Sequence, residues 1–163
     1  MRIFWFIFLL FFICFITFGE QEDGLIVGSN APIWTLAGVD GNIHSLADFR
    51  GKVVILDFWA TWCDPCIKGM PAMQAIYKDY NNDVAVIGLT YCDDPEDAKE
   101  FFKTEGYNYI LLFGAEVLTE KYNIEGIPSV FILDKEGKIL HYNAGWGEGL
   151  DNEYRKILDS YLK

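Results

Sequence analysis

Apolar residues along the chain fall into two kinds of run. Continuous apolar and β-branched runs predict strands that are buried on both faces, and apolar residues three or four positions apart predict helices. Buried strands are expected at residues 53–59 (VVILDFW), 83–91 (DVAVIGLTY) and 109–113. Helices are expected at about 63–80, at 95–106 behind an Asp94 cap and a first-turn Pro95, and at about 149–163.

Turn residues place shorter elements at both ends of this pattern. Residues 31–49 predict short strands around a turn at 39–42 (VDGN), and residues 129–133 and 138–142 flank a second turn, DKEG. A short helix is expected at 116–122. Strands alternate with helices and the chain closes with a hairpin and a helix, which predicts an α/β fold.

The first nineteen residues form a separate segment. Arg2 precedes an unbroken apolar stretch, and residues 3–18 would span only about 24 Å as a helix, against a bilayer core of about 30 Å. This length and the small residues before position 20 predict a secretory signal cleaved after Gly19. A retained membrane anchor, with residues 3–18 as the tether, is the alternative. Residues 20–163 are then one exported domain.

The net charge of that domain bears on which classes of partner it can bind. The chain has a net charge of −11, and the leader contributes only Arg2 to it. An acidic body repels phosphate backbones, so we expect no nucleic-acid binding.

The stretch FWATWCDPC places two cysteines three positions apart, where a helix should begin. Unpaired amides and the helix dipole favour an anion at Cys63, and the thiolate is the nucleophile in disulfide exchange. Cys66 lies one turn further on and can reach back to it, and Pro65 loses no hydrogen bond so early in a helix. The spacing indicates an attacking and a resolving thiol.

Three other interpretations of the pair remain. A zinc site needs about four ligands, and the exported body offers only Cys92, His44 and His141 besides the pair. A structural disulfide across so short a loop would constrain the unfolded chain little. An inert reduced pair does not suit an oxidising compartment. We therefore favour redox chemistry, with no metal and no cofactor.

Two further positions bear on that chemistry. Asp57 lies inside the apolar run VVILDFW, six residues before Cys63, and should be buried and hard to ionise. It could exchange a proton with the Cys66 thiol, or it could be bound to backbone at the strand end. The bond between Ile127 and Pro128, just before a β-branched strand, is a candidate cis bond that would leave the Ile127 backbone free to pair with substrate.

Together, FWATWCDPC, the upstream Asp57, Pro71 and KYNIEGIPSVFILDKEGKI resemble thioredoxin over most of residues 50–163. The entry at 31–52 and an inserted helix and strand at about 95–113 resemble the exported TlpA/ResA-type proteins. The resemblance implies a thioredoxin-like fold, with a central mixed sheet, flanking helices and an N-terminal hairpin. It also implies that Cys63 attacks substrate, Cys66 resolves the mixed disulfide, Trp62 covers the site and Pro128 is cis. The Ile at position 127, just before this proline, is similar to the residue found there in the reducing members of the family rather than in the oxidants.

This sequence departs from the family in two respects, and the charge of Asp64 is a further feature of the site. Gly69 stands where ResA-type proteins of cytochrome c maturation commonly carry Glu, which weakens a haem-protein role. The strand VAVIGLTY lacks the Lys that thioredoxin places near its buried Asp, so Asp57 should resist ionisation. Asp64, between the cysteines, should disfavour the Cys63 thiolate and make the couple more reducing.

Several conspicuous residues are expected to be structural. Cys92 leaves an odd thiol in the exported body and is expected to be a half-buried free cysteine rather than a third redox group. The acidic cluster after it is expected to cap a helix rather than bind calcium. Trp34, Tyr109 and Trp146 are expected to be packing residues.

These patterns predict a periplasmic or otherwise extracytoplasmic thiol–disulfide oxidoreductase. It would reduce protein disulfides with electrons from a membrane-embedded donor. A thioredoxin-like protein of cytochrome c maturation is one alternative. A thiol peroxidase of related fold is another, although it would usually carry Thr where Ala60 stands. A non-catalytic module that binds through the groove at residues 127–128 is a third.

Overall fold

The chain folds around one seven-stranded sheet in a computed structural model that describes residues 27–162. The strands are β1 (Thr35–Gly38), β2 (Ile43–Ser45), β3 (Val53–Trp59), β4 (Val84–Thr90), β5 (Ile110–Phe113), β6 (Ser129–Leu133) and β7 (Ile139–Ala144). The α-helices are α1 (Asp64–Tyr80), α2 (Pro95–Glu105) and α3 (Leu150–Tyr161). Short 3₁₀ helices occupy Leu46–Phe49 and Ala115–Leu118.

The predicted leader, residues 1–19, lies outside the described residues. Within residues 27–162, no helix has both the length and the apolar character needed to cross a bilayer.

The strand order β2-β1-β5-β4-β3-β6-β7 confirms the expected mixed sheet. β3 lies parallel to β4 and antiparallel to β6, and β4 lies parallel to β5. The N-terminal hairpin β1–β2 pairs antiparallel with β5, where Ala37 is in register with Phe113. The inserted α2–β5 unit therefore supplies the sheet edge on which the entry hairpin docks.

The two faces of the sheet are covered differently. All three α-helices pack on one face, here called the helix face, whose buried cluster contains Ile55 and Trp59 of β3. The N-terminal segment and the second 3₁₀ helix cover the opposite face, with Leu56 and Phe58. Because side chains alternate along a strand, Asp57 belongs to the helix face.

Most predicted boundaries hold, with one exception. α2 begins behind Asp94, whose carboxylate accepts the Glu96 N–H at 2.8 Å, and ends at Gly106 with φ of +73°. The helix expected at 116–122 is only a 3₁₀ turn that ends at Leu118. Its last turn tightens because the N–H and hydroxyl of Thr119 both donate to the Glu116 carbonyl.

Candidate active site

Cys63 and Cys66 lie at the start of α1 and are joined by a disulfide bond. Cys63 is the N-cap residue, and its sulfur accepts a hydrogen bond from the Cys66 backbone N–H at 3.3 Å. Both cysteines are nearly buried, with 5% and 3% of their surface exposed. The predicted helix start is thus confirmed, and the Cys66 amide of the helix N-terminus points at the Cys63 sulfur.

The loop before Cys63 is held by a residue from the neighbouring strand end. Asp93, which follows β4, accepts the Thr61 backbone N–H at 2.6 Å and the Thr61 hydroxyl at 2.8 Å. The acidic cluster to which Asp93 belongs was expected to cap the helix, but only Asp94 has that role. Asp93 instead fixes the position of the loop that carries Trp62 and Cys63. The alternation of strands and helices places both loops at the carboxyl end of the sheet, and no local motif marks the bond between them.

Trp62 and Cys92 form a second link between these loops. The Trp62 indole N–H donates to the Cys92 carbonyl at 3.1 Å, and 58% of the Trp62 surface remains exposed beside the disulfide. Cys92 is an exposed free thiol with φ of +48°, so the expectation of a half-buried cysteine is wrong. The turn after β4 directs the Cys92 side chain to solvent, while the Cys92 carbonyl accepts the hydrogen bond from Trp62.

The segment before β6 provides the other side of the site. The Ile127–Pro128 peptide bond is cis, as the sequence predicted. Pro128 is buried, and the half-buried Ile127 packs against the cluster that contains Cys63 and Cys66. Asp64 and Pro65, between the cysteines, are exposed.

Asp57 lies on the same helix face as the two cysteines and is 4% exposed. Burial raises the pKa of its carboxyl to about 7. Among residues 27–162 it has no ion-pair partner, and no hydrogen bond from backbone satisfies it, contrary to the alternative considered from sequence. The residue in register with it on β4 is Gly88, so the neighbouring strand offers no cation at this position.

Aromatic side chains fill the space that Gly88 leaves. A Cβ at this position would lie 3.0 Å from Trp59 Nε1 and 3.1 Å from Tyr109 Cε2. The Trp59 indole N–H and the Tyr109 hydroxyl are both buried and have no hydrogen-bond partner among the described residues. Tyr109 was expected to be a packing residue, and no pattern in the sequence shows that its hydroxyl is unpaired.

Trp146 closes the site on the side of α1. A Cβ on Gly69 would lie 2.8 Å from the Trp146 ring, which is closer than side chains approach one another. The indole therefore occupies the place that any side chain at position 69 would need. A Glu at this position would therefore have to displace Trp146.

The geometry places a CXXC cysteine pair at a helix N-terminus on a thioredoxin-like fold, and comparison with known proteins agrees. Residues 27–142 match the AhpC/TSA family, and the chain belongs to that family. Two relatives are similar over most of their length. Thioredoxin-like protein YneN of Bacillus subtilis is 32% identical over 88% of this chain and 86% of its own. Thiol-disulfide oxidoreductase ResA of Geobacillus thermodenitrificans is 31% identical over 78% of this chain and 75% of its own.

A solved structure shows the same architecture. A Chlorobium tepidum protein, provisionally named thiol:disulfide interchange protein DsbE, superposes with a TM-score of 0.79 at 28% identity. The match covers 85% of this chain and 99% of the other. The thioredoxin-like fold expected from the sequence is therefore confirmed, including its mixed sheet.

Proposed function

We propose that this chain is an exported thiol–disulfide oxidoreductase that reduces protein disulfides through Cys63 and Cys66. The hydrogen bond from the Cys66 N–H to the Cys63 sulfur carries the proposal. A donor aimed at sulfur from a helix N-terminus stabilises the thiolate, which is the attacking form of the group. Membership in a family whose relatives include named thiol–disulfide oxidoreductases supports it.

The reaction transfers two electrons to the substrate. The Cys63 thiolate attacks one sulfur of a substrate disulfide, the substrate S–S bond breaks, and the departing sulfur takes up a proton. Cys66 then loses its proton and attacks the Cys63 sulfur. The mixed disulfide breaks, the second substrate thiol leaves, and the Cys63–Cys66 disulfide remains.

Asp57 is the proposed acceptor of the Cys66 proton. Both groups belong to the helix face, and burial raises the pKa of Asp57 to about 7, so a large fraction of the carboxyl is ionised at neutral pH. A carboxylate of ordinary pKa would hold the accepted proton poorly. Removing Asp57 is therefore expected to slow resolution of the mixed disulfide more than its formation.

The substrate surface is proposed to run from Trp62 across Asp64 and Pro65 to Ile127 and Pro128. Exposure of the Trp62 ring supplies an apolar contact beside the disulfide. Ile127 lies just ahead of β6, where its backbone can pair with an extended segment of a protein substrate.

Asp64 is proposed to bias the couple towards reduction. It is the first residue of α1 and lies next to Cys63, where its negative charge opposes formation of a second one. Asp64→Asn should raise the reduction potential measured against glutathione, with the exposed Asp79→Asn on the same helix as the control. A fall in potential would contradict this role.

Export and electron supply are the remaining parts of the proposal. The apolar leader at 1–19 supports delivery to an extracytoplasmic compartment, with residues 3–18 as tether if it is retained. Because such a compartment lacks a reduced thiol pool, the electrons would come from a membrane-embedded donor.

Insulin reduction with dithiothreitol tests the activity. Wild type and Cys92→Ser should accelerate insulin precipitation, and Cys63→Ser should abolish the acceleration. In cells, Cys66→Ala should accumulate mixed disulfides on Cys63 that mass spectrometry can identify. An apocytochrome c as the sole partner would assign the chain to cytochrome c maturation. The proposal would be refuted if Cys63→Ser kept full activity, or if the protein consumed peroxide rapidly without reducing disulfides.

A further inference from the structure

Asp57 and two buried donors form a group that the thiol chemistry does not by itself explain. The Asp57 carboxyl is buried without a cation, and beside it the Trp59 N–H and the Tyr109 hydroxyl are buried without an acceptor. Buried polar groups are nearly always hydrogen-bonded, so two unmatched donors on the same face of the sheet as a buried carboxyl require an explanation.

The backbone register brings these groups together. Asp57 and Trp59 are two positions apart on β3, so their side chains leave the same face. Gly88 on β4 is paired with Asp57 on β3. The Tyr109 ring covers Gly88, and its Cε2 atom lies 3.1 Å from the position that a Cβ on Gly88 would occupy. The Tyr109 atom at that distance is the ring carbon next to the one that bears the hydroxyl. The phenol end of Tyr109 therefore lies over the residue opposite Asp57.

We propose that the Tyr109 hydroxyl, with the Trp59 indole N–H beside it, is the hydrogen-bond donor that stabilises the ionised Asp57 carboxylate across one water molecule. Protonated Asp57 needs little from these donors. The ionised form needs them because no cation reaches it from β4. Tyr109 is then a positioning residue, which acts on the reaction through Asp57.

Other titratable groups face the same region. Cys63 and Cys66 approach from α1 and Tyr154 from α3, and Tyr154 also packs against His141 of β7. α2 contributes only the apolar Ala98 and Phe102 to the buried cluster. Three half-buried tyrosines pack at the rim of this cluster: Tyr77, Tyr80 and Tyr107. Tyr109 is singled out among the phenols because its ring lies at Gly88.

The inference extends the proposed role of Asp57, and its test does not depend on turnover. The Asp57 pKa would be followed by carboxyl carbon NMR in oxidised protein, with Asp57→Asn used to identify the resonance. Tyr109→Phe should raise that pKa by about one unit, since a donor to the charged form is lost. Tyr122→Phe is the matched control: its hydroxyl is also buried, but it donates to the Pro32 carbonyl on the opposite face.

A second measurement follows from the same change. With Asp57 protonated, Tyr109→Phe removes a hydroxyl that has no partner, so the variant should fold normally near pH 5.5. Between pH 5.5 and 8.5, its unfolding constant should rise about tenfold more than that of wild type. Tyr122→Phe should show no such pH-dependent difference.

Three results would overturn the inference. The first is an Asp57 pKa that does not change in Tyr109→Phe. The second is an Asp57 pKa that falls in Tyr109→Phe, which would mean that Tyr109 accepts a hydrogen bond from protonated Asp57. The third is an Asp57 pKa that shifts only in Tyr154→Phe. If the pKa moves as expected while wild type reduces no disulfide, the proposed function fails and the inference stands. If insulin reduction requires Cys63 but the pKa does not move, the inference alone fails.

Discussion

Replacement of Asp57 by Asn should reveal a stability cost that grows with pH. The Asp57 pKa is about 7 in the folded protein against 3.8 for an ordinary aspartate, so the unfolded chain releases this proton first. The sign follows from proton linkage. The stability that depends on protonated Asp57 is fully present below pH 3.8, and it is lost as the pH rises through the folded-state pKa of Asp57.

The size of the effect follows from the same two values. One pKa unit corresponds to about 1.4 kcal/mol, so the whole shift amounts to about 4 kcal/mol above pH 7. About half of this loss falls between pH 5.5 and 8.5, a range that avoids precipitation near the isoelectric point of about 4.5. Asp57→Asn keeps the shape of the side chain and removes the titration.

Urea unfolding of both oxidised proteins at pH 5.5, 7 and 8.5 measures the difference. The free energy of unfolding of Asp57→Asn should exceed that of wild type by an amount that grows by about 2 kcal/mol across this range. For a slope of about 2 kcal/mol per molar urea, the gap between midpoints should widen by about 1 M. A gap that stays constant with pH would show that Asp57 titrates alike in both states, and the account of its burial would be wrong.

Substitutions at three other places in the structure test single local features. Gly69→Ala should cost about 1–3 kcal/mol in urea unfolding because the new Cβ meets Trp146 at 2.8 Å, and most of this cost should vanish in a Trp146→Ala background; additive costs would contradict the contact. Asp93→Ala should cost about 1–3 kcal/mol and Thr61→Val less, because Thr61→Val keeps the backbone hydrogen bond; equal costs would be inconsistent with this. Cys92→Ser should change stability by less than about 0.5 kcal/mol and remove any disulfide-linked dimer from a non-reducing gel.

Local patterns predicted the site well where the chemistry lies within one segment. The N-cap position of Cys63 follows from where an apolar helix begins, and burial of Asp57 follows from the apolar run around it. The cis bond at Pro128 was expected from the resemblance to thioredoxin. The exposure of Cys92 was not foreseen, because it depends on the direction of one turn.

Contacts between distant segments were beyond the reach of those patterns. Asp93 was grouped with a helix cap because its neighbours are acidic, yet it binds the loop ahead of Cys63. Trp146 and Tyr109 were taken as packing residues, and only the fold shows that one lies against Gly69 and the other over Gly88.

The sequence by itself determined the α/β pattern, the place of Cys63 and Cys66 at the start of α1, and the burial of Asp57. These properties arise from hydrophobic periodicity and from backbone groups near the helix start, which depend on neighbours in the chain. The tertiary structure alone decided what surrounds Asp57 and which face of the sheet the helices cover. Strand register and strand order set those contacts, and both result from packing of the whole core rather than from any one segment.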